Sequence, residues 1–383
     1  MTSPLDDEAD GSPFSLRFAE TPLPHVFEEL QRHTLDAVVA QLRGIRGLAR
    51  PDTRRDTVLI IHGMELVDFH ATRIMNALLD RGVRAAYLPV ARFAEACQVS
   101  LSLGDPEGPP SRLTLPGSEI LLEQVKSVWY RGRWDALRAA EPASGPIARW
   151  RDNELAMTLA GLYRLLDGAF WVNPPDALAE ASNKVAQLRL AVQLGLRIPR
   201  TLVTSDPVAA RDFFRRCDGR MIVKAFRRHV GSLEHGFRFI YTNRVAEDAL
   251  EQMGRSRGPS VFQELVPKDV ELRVTVIGRQ VFASEIHSQG QAHTEIDFRR
   301  ERVEDDLYAR CVLPPEIERR CLAMMDHLRL SYAAFDLIRR PDGQHVFLEV
   351  NPDGDFLADQ DALGYPVIAA MAGLLTDGPP SPG

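Results

Sequence analysis

Residues 332–351 read YAAFDLIRRPDGQHVFLEVN. Two β-rich runs flank Asp342-Gly343, a dipeptide that favours a tight hairpin turn. With these two residues as the turn, Asp336 lies directly opposite Glu349. Asn351, two residues further along its strand, shares their face. The neighbours Phe335, Leu337, Leu348 and Val350 are apolar. Two carboxylates opposed on a half-buried sheet repel each other, and a buried charge needs a partner. A divalent cation resolves both problems, and an all-oxygen donor set favours Mg²⁺, or Mn²⁺, over zinc. The bland alternative is a solvent-facing sheet carrying unrelated polar residues.

Upstream lie groups suited to anions. Lys224 sits inside the apolar run MIVKAF, 221–226. Such a lysine is unfavourable unless its ammonium reaches an anion or snorkels at an edge. The basic loop after it contains Gly231 and Gly236, and backbone N–H groups in such a loop can close over phosphates. Neither a Walker loop nor a dinucleotide fingerprint occurs. Lys184 opens a helix. VFQELVPKDVELRV, 261–274, places Glu271 and Arg273 on one strand face. A carboxylate suits ribose hydroxyls and a guanidinium suits phosphate; an exposed ion-pair ladder fits the spacing equally well.

The remaining pattern alternates strands with helices, which predicts an α/β (α+β) chain of more than one unit. TVLIIH, 57–62, is a continuous apolar run suited to a buried parallel strand. A helix over 70–81 ending at Gly82, a strand at 83–89, a hairpin within 98–116 and a strand at 125–132 follow. Residues 150–167 read as a helix, and AFWVNPP as a stop. From 182 the pattern predicts a helix capped by Ser182, then a helix led by Ser-Asp-Pro, then strands at 221–226, 237–243, 260–266, 271–278 and 280–287. Helices at 314–329 and 362–375 bracket the hairpin. Residues 24–48 carry Val26, Leu30, Leu35, Val38, Val39 and Leu42 at near-helical spacing. The expected division is an extension with one helix (1–55), an N-terminal α/β unit (56–180), a central unit (181–266), a C-terminal unit with the metal site (267–377) and a tail (378–383).

The net charge of −7 gives no basic footprint for nucleic acid. Cys97, Cys217, Cys311 and Cys321 form no C-x-x-C pair, which argues against a zinc knuckle or a disulfide framework. The acidic, polar start lacks the pattern of a signal peptide, and no apolar stretch reaches membrane-spanning length. A cytoplasmic protein is expected.

Taken in order, Lys184, Lys224, Gln263-Glu264-Leu265-Val266, Glu271-Leu272-Arg273, Asp336 and Glu349-Val350-Asn351 resemble the ATP-grasp superfamily over about residues 57–377. VWYRGR (128–133), KDVELRVTVIGRQVFASEIHSQ (268–289) and FLEVNPDGD (347–355) are most similar to its microviridin-type, graspetide-maturing branch. The resemblance implies a three-part fold with the nucleotide held between two α+β units. It implies that Lys184 and Lys224 hold ATP phosphates and that residues 263–266 form a hinge against adenine. Glu271 would bind ribose, Arg273 the γ-phosphate and acyl-phosphate, and Asp336, Glu349 and Asn351 magnesium. Arg131, Arg133, Asp297 and Arg299 are candidate substrate residues. One stretch departs from the branch: Asn351-Pro352-Asp353-Gly354-Asp355-Phe356 stands where N-P-N-G-Q-W is usual.

On this resemblance, an Asp or Glu side chain of a ribosomal precursor peptide is activated as an acyl-phosphate. A Ser or Thr hydroxyl, or a Lys amine, of the same peptide then closes the ring. The implied partners are a peptide with leader and acidic core, and a second copy in a homodimer. An intermolecular ATP-grasp ligase adding an amino acid, a non-catalytic nucleotide-binding regulator and a metal-dependent hydrolase remain alternatives.

Overall fold

In the computed structural model of the chain, the structure describes residues 55–63, 68–105, 107–131, 146–226, 229–230, 238–239, 242–252, 258–288 and 307–378. The expected helix at 24–48, the glycines at 231 and 236, and the candidates Arg133, Asp297 and Arg299 lie outside them.

Four parallel strands open the fold: β1 (Thr57–His62), β2 (Arg84–Pro89), β6 (Val125–Arg131) and β7 (Phe170–Val172), in the order β2-β1-β6-β7. β1 is central, and Val58 to Ile61 are fully buried, so the unbroken apolar run is read on both faces. Helix α1 (Phe69–Asp80) packs Ile74 and Leu78 beneath it and stops at Gly82, whose φ of 70° suits glycine. The expected hairpin is a three-stranded antiparallel sheet, β3 (Gln98–Ser100), β4 (Arg112–Leu115) and β5 (Ser118–Leu121). Helix α2 spans Pro146–Leu165.

The helix expected from 182 is present as one helix, and a short helix that the pattern did not predict precedes it. Helix α3 covers Pro175–Ala181 and helix α4 covers Lys184–Gln193. Asn183, not Ser182, caps α4: its side chain accepts from the Val185 and Ala186 amides, while Ser182 closes α3. Next come β8 (Thr201–Thr204), α5 (Pro207–Arg216) and β9 (Met221–Lys224). β10 (His229–Val230) pairs with β11 (Arg238–Phe239); β12 (Asn243–Arg244) and β13 (Ser260–Glu264) complete a sheet ordered β12-β9-β13-β8.

A five-stranded antiparallel sheet organises the rest. Its strands are β14 (Val270–Ile277), β15 (Gln280–Ile286), β16 (Tyr308–Cys311), β17 (Tyr332–Arg339) and β18 (His345–Asn351), ordered β16-β15-β14-β17-β18. One face is apolar: Leu272, Val274, Phe335, Leu337 and Phe347 pack on α4 and on α6 (Pro315–His327). The other face carries Glu271, Arg273, Asp336 and Glu349. β18 ends the sheet, and Gln187 of α4 takes the place of a neighbouring strand. Its Nε2 donates to Val350 O at 2.9 Å, and its Oε1 accepts from Val350 N at 3.1 Å.

The last expected helix, 362–375, is interrupted at its start: α8 (Val367–Asp377) follows a separate short helix, α7 (Leu357–Leu363). Pro366 lacks the amide needed to continue a helix, and Gly364 has a φ of 64°. α8 is predominantly apolar and buries Val367, Ala370, Met371, Ala372, Leu374 and Leu375 between Val58 and Ile60 of β1 and Ile277 and Phe282 of the five-stranded sheet.

Asn173, after β7, joins the two sheets. Its amide donates to Tyr332 O (2.8 Å) and Pro352 O (2.9 Å), and its carbonyl accepts from Ser331 N (2.7 Å) and Tyr332 N (3.1 Å). Asn173→Ala leaves buried backbone groups without partners and is expected to cost about 3 kcal/mol. Urea unfolding checks this; a midpoint equal to wild type would refute the joint.

Candidate active site

Register builds the site. Arg273 on β14 pairs with Asp336 on β17, and Asp336 pairs with Glu349 on β18, so the three form one row across adjacent strands. The expected opposition of Asp336 and Glu349 is present, by a different route. The turn is a three-residue loop, with Arg340 N–H donating to Gln344 O and Gly343 N–H to Arg340 O. Pro341 sets the first turn position and Gly343, at φ 79°, takes the left-handed one. That shifts the pairing by one residue, and a bulge at Leu348 shifts it back between Leu337 and Asp336. Because of the bulge, Leu348 and Glu349 line the same pocket although adjacent in sequence.

Asp336 and Glu349 are 8% and 6% exposed, so their charges require compensation. Arg273 Nη1 donates to Asp336 Oδ1 at 2.7 Å. Lys184, first residue of α4, places Nζ 3.0 Å from Glu349 Oε2 and 3.3 Å from Ala225 O. Asn351 Nδ2 donates to Asp336 Oδ2 at 3.3 Å. The five expected residues therefore converge: two carboxylates and an amide, flanked by two cations.

The pocket runs from this row into the gap between the two antiparallel sheets. Ile222, Val266, Ile338 and Leu348 form its apolar walls. Lys224, Lys268 and Glu271 line it on the polar side. Glu271 Oε1 accepts from Lys268 Nζ at 2.5 Å and Ser288 Oγ at 3.1 Å. Gln263 holds Thr201 Oγ1 through Nε2 at 3.0 Å, while its buried Oε1 has no hydrogen-bond partner among the described residues. Glu264 turns its carboxylate outward to Arg200, at 3.0 Å from N and 2.6 Å from Nε. Of the four hinge residues, Glu264 therefore spends its side chain elsewhere.

A second polar cluster escaped the sequence reading. Asp68 caps α1, and its Oδ1 accepts from His70 N. His70 Nδ1 lies 2.9 Å from Asp68 Oδ1 and its Nε2 2.9 Å from Asp355 Oδ1. A ring bonded to an acceptor on each side carries both protons. Burial alone would lower the His70 pKa, but the hydrogen bonds to Asp355 and Asp68 outweigh it and raise it above the ordinary value. Asp355 is held well below the carboxylate range; burial opposes this, but its side chain is 63% exposed, so the His70 bond governs. Burial lowers His62, 3.7 Å from Asp68, to about 4, so it is neutral. Arg131, a candidate substrate residue, is committed internally: Nε donates to Asp68 Oδ2, and Nη1 to Asp353 Oδ1 at 2.9 Å. Asp353 and Asp355 are the two carboxylates of the divergent NPDGD stretch. Arg131 and His70 are their partners, a pairing that nothing in local spacing announces.

The sign of the pH effect follows. Asp68, Asp355, Asp353, Arg131 and neutral His62 are the titratable groups around His70. Its raised pKa means its contribution is complete below about pH 6.5 and is lost as pH rises through the folded value. Lowered Asp68 and Asp355 contribute above about pH 4 and lose that in acid. The stability gap between wild type and His70→Gln is therefore expected to narrow between pH 6 and pH 9.5, read as urea midpoints; a constant gap would sink the assignment of charge.

No family model matches the chain. Among solved structures, the macrocyclase MdnB from Microcystis aeruginosa MRC is 31% identical, with a TM-score of 0.66 over 84% of this chain and 99% of that one. A RiPP-associated ATP-grasp ligase from Chryseobacterium gregarium, in complex with ADP and a leader and core peptide, is 25% identical. Its TM-score is 0.74 over 85% of this chain and 98% of that one. Among curated proteins, a probable alpha-L-glutamate ligase of Aliivibrio fischeri (strain MJ11) is 26% identical over 212 residues, 55% of this chain and 67% of that protein. With nearly the whole of a macrocyclase structure matched at that identity, the chain belongs to the RiPP-associated ATP-grasp ligases.

Proposed function

We propose that the chain is an ADP-forming ligase that joins Asp or Glu side chains of a ribosomal precursor peptide to Ser, Thr or Lys of the same peptide. The observation that carries this reading is the row Arg273–Asp336–Glu349 at the end of a slot with apolar walls and a charged side. A flat base suits the walls of Ile222, Val266, Ile338 and Leu348. The partnerless Gln263 Oε1 suits an exocyclic amine. Glu271 faces where a ribose would sit, and Lys184 and Lys224 suit the phosphates. Asp336, Glu349 and Asn351 would hold Mg²⁺, or Mn²⁺; such a donor set of two carboxylates and an amide suits a hard cation. The cation supplies charge neutralisation between two anions.

In this reading the substrate carboxylate oxygen attacks the γ-phosphorus and ADP departs, leaving an acyl-phosphate on the peptide. Arg273 and Lys224 screen the approach of the two anions and stabilise the charge on the transferring group. A peptide hydroxyl or amine then attacks the acyl carbon and expels phosphate, so the peptide loses one water per ring. No protein nucleophile is required. The thiols of the chain are free, in keeping with a reducing, cytoplasmic setting. The likeness to a glutamate ligase favours one second reading, intermolecular addition of an amino acid.

ADP release and peptide mass, read from one tube with Mg-ATP and an acidic precursor peptide, separate the two. Loss of about 18 Da per ADP is expected; a mass gain would establish intermolecular ligation, and no ADP from any peptide would remove the substrate assignment. Glu349→Ala is expected to lower ADP formation at least about 100-fold. Gln263→Met is expected to raise KM for ATP about 10-fold with kcat little changed, since one hydrogen bond made equally in ground and transition states is lost; an unchanged KM would remove Gln263 from the nucleotide site.

A further inference from the structure

We propose that His70 and Arg131 are positioning residues for Arg273, acting through the turn formed by Asp353, Gly354 and Asp355. The proposal rests on the reading of Arg273 as the residue that meets the transferring phosphoryl group.

Two contacts of the guanidinium join it to different parts of the fold. Nη1 donates to Asp336 Oδ1 at 2.7 Å, and Nη2 to the Asp355 carbonyl at 2.8 Å. The first anchor belongs to the same sheet and is as rigid as its ladder. The second belongs to a turn beyond the end of β18, where ladder bonds no longer fix the backbone. Part of what fixes it comes from α1 and the end of β6. His70 Nε2 lies 2.9 Å from Asp355 Oδ1, and Arg131 Nη1 donates to Asp353 Oδ1 at 2.9 Å. Both cations are themselves held by Asp68, whose side chain is 7% exposed. Asp355 Oδ1 also accepts from Leu357 N at 2.8 Å, and Tyr332 OH donates to Gly354 O.

The turn is closely fitted to Arg273. A Cβ added to Gly354 would stand 2.8 Å from both Arg273 Nη2 and the Ala334 Cβ. A guanidinium fixed at two nitrogens has its plane determined, and a displacement of the turn would rotate that plane. Asp68, at the head of α1, thus sets the aim of an arginine on another sheet. This also accounts for the divergent NPDGD stretch: its carboxylates are the far ends of the braces from α1 and β6.

The test is a double-mutant cycle in the full-length chain, with Mg-ATP and a precursor peptide. His70→Ala is expected to lower kcat for ADP formation about 10- to 100-fold, the cost of a roughly 1 Å misplacement, with KM for ATP within about threefold. His70→Gln, which keeps one hydrogen bond, is expected to recover part of that loss. In an Arg273→Lys background, His70→Ala is expected to cost less than about threefold, because the group it positions is gone. Thermal midpoints of all variants separate folding from positioning. Wild-type kcat in His70→Ala, or an equal loss in both backgrounds, would overturn the proposal. Should the wild-type chain form no ADP with any peptide, the functional reading fails by itself. The positioning claim is then decided by the Arg273 side-chain N–H resonance, assigned by its loss in Arg273→Lys: it is expected to move or broaden in His70→Ala, and an unmoved resonance overturns the claim.

Discussion

Asp336 and Glu349 face each other from paired strands with almost no solvent around either, and the rest of the structure depends on making that tolerable. Two like charges at cross-strand distance in a medium of low polarity repel strongly, so compensating charge must arrive from fixed directions. One cation comes from the next strand in the same row, which requires β14 beside β17. The other comes from the first residue of α4, which requires that helix to end against β18. Gln187, one turn further along α4, bonds both backbone polar groups of Val350, between Glu349 and Asn351. The helix that supplies Lys184 therefore also closes the sheet edge on which Glu349 stands.

The second ionic cluster extends this logic between the sheets. Asp68, His70, Arg131, Asp353 and Asp355 place acids and bases alternately, each cation lying between two carboxylates. Arg131 changes meaning in this light. At a strand end near the site it looks available to an acidic peptide, yet its guanidinium is spent on two carboxylates of the protein.

Much of this was legible in the residues themselves. β1, β17 and β18 stand within a residue of their expected limits, since buried runs and a turn dipeptide are local signals. The opposition of Asp336 and Glu349 was also legible, but the agreement hides two compensating departures. Pro341 and Gly343 make a three-residue loop where two were expected, and the Leu348 bulge restores the pairing. A bulge relieves a register that tertiary packing demands, and packing is not written in strand periodicity. The same holds for α3, whose short PDALAEA run carries little periodic signal, and for the division of the last helix at Gly364 and Pro366. The His70 brace was invisible because its partners are 285 residues apart.

Helix α8 has a consequence for the order of assembly. Domains usually fold in the order in which they leave the ribosome. Here the inner face of the first sheet, with Val58, Ile60 and Trp129, is completed only by Val367, Met371 and Leu375. At ordinary rates of synthesis, on the order of tens of seconds separate the emergence of β6 from that of α8. Through that interval the nascent chain carries an open apolar surface and has every reason to recruit a chaperone. A protein synthesised with its last helix missing would keep that surface permanently, and the cell's quality control would meet an incomplete core before it met an inactive enzyme.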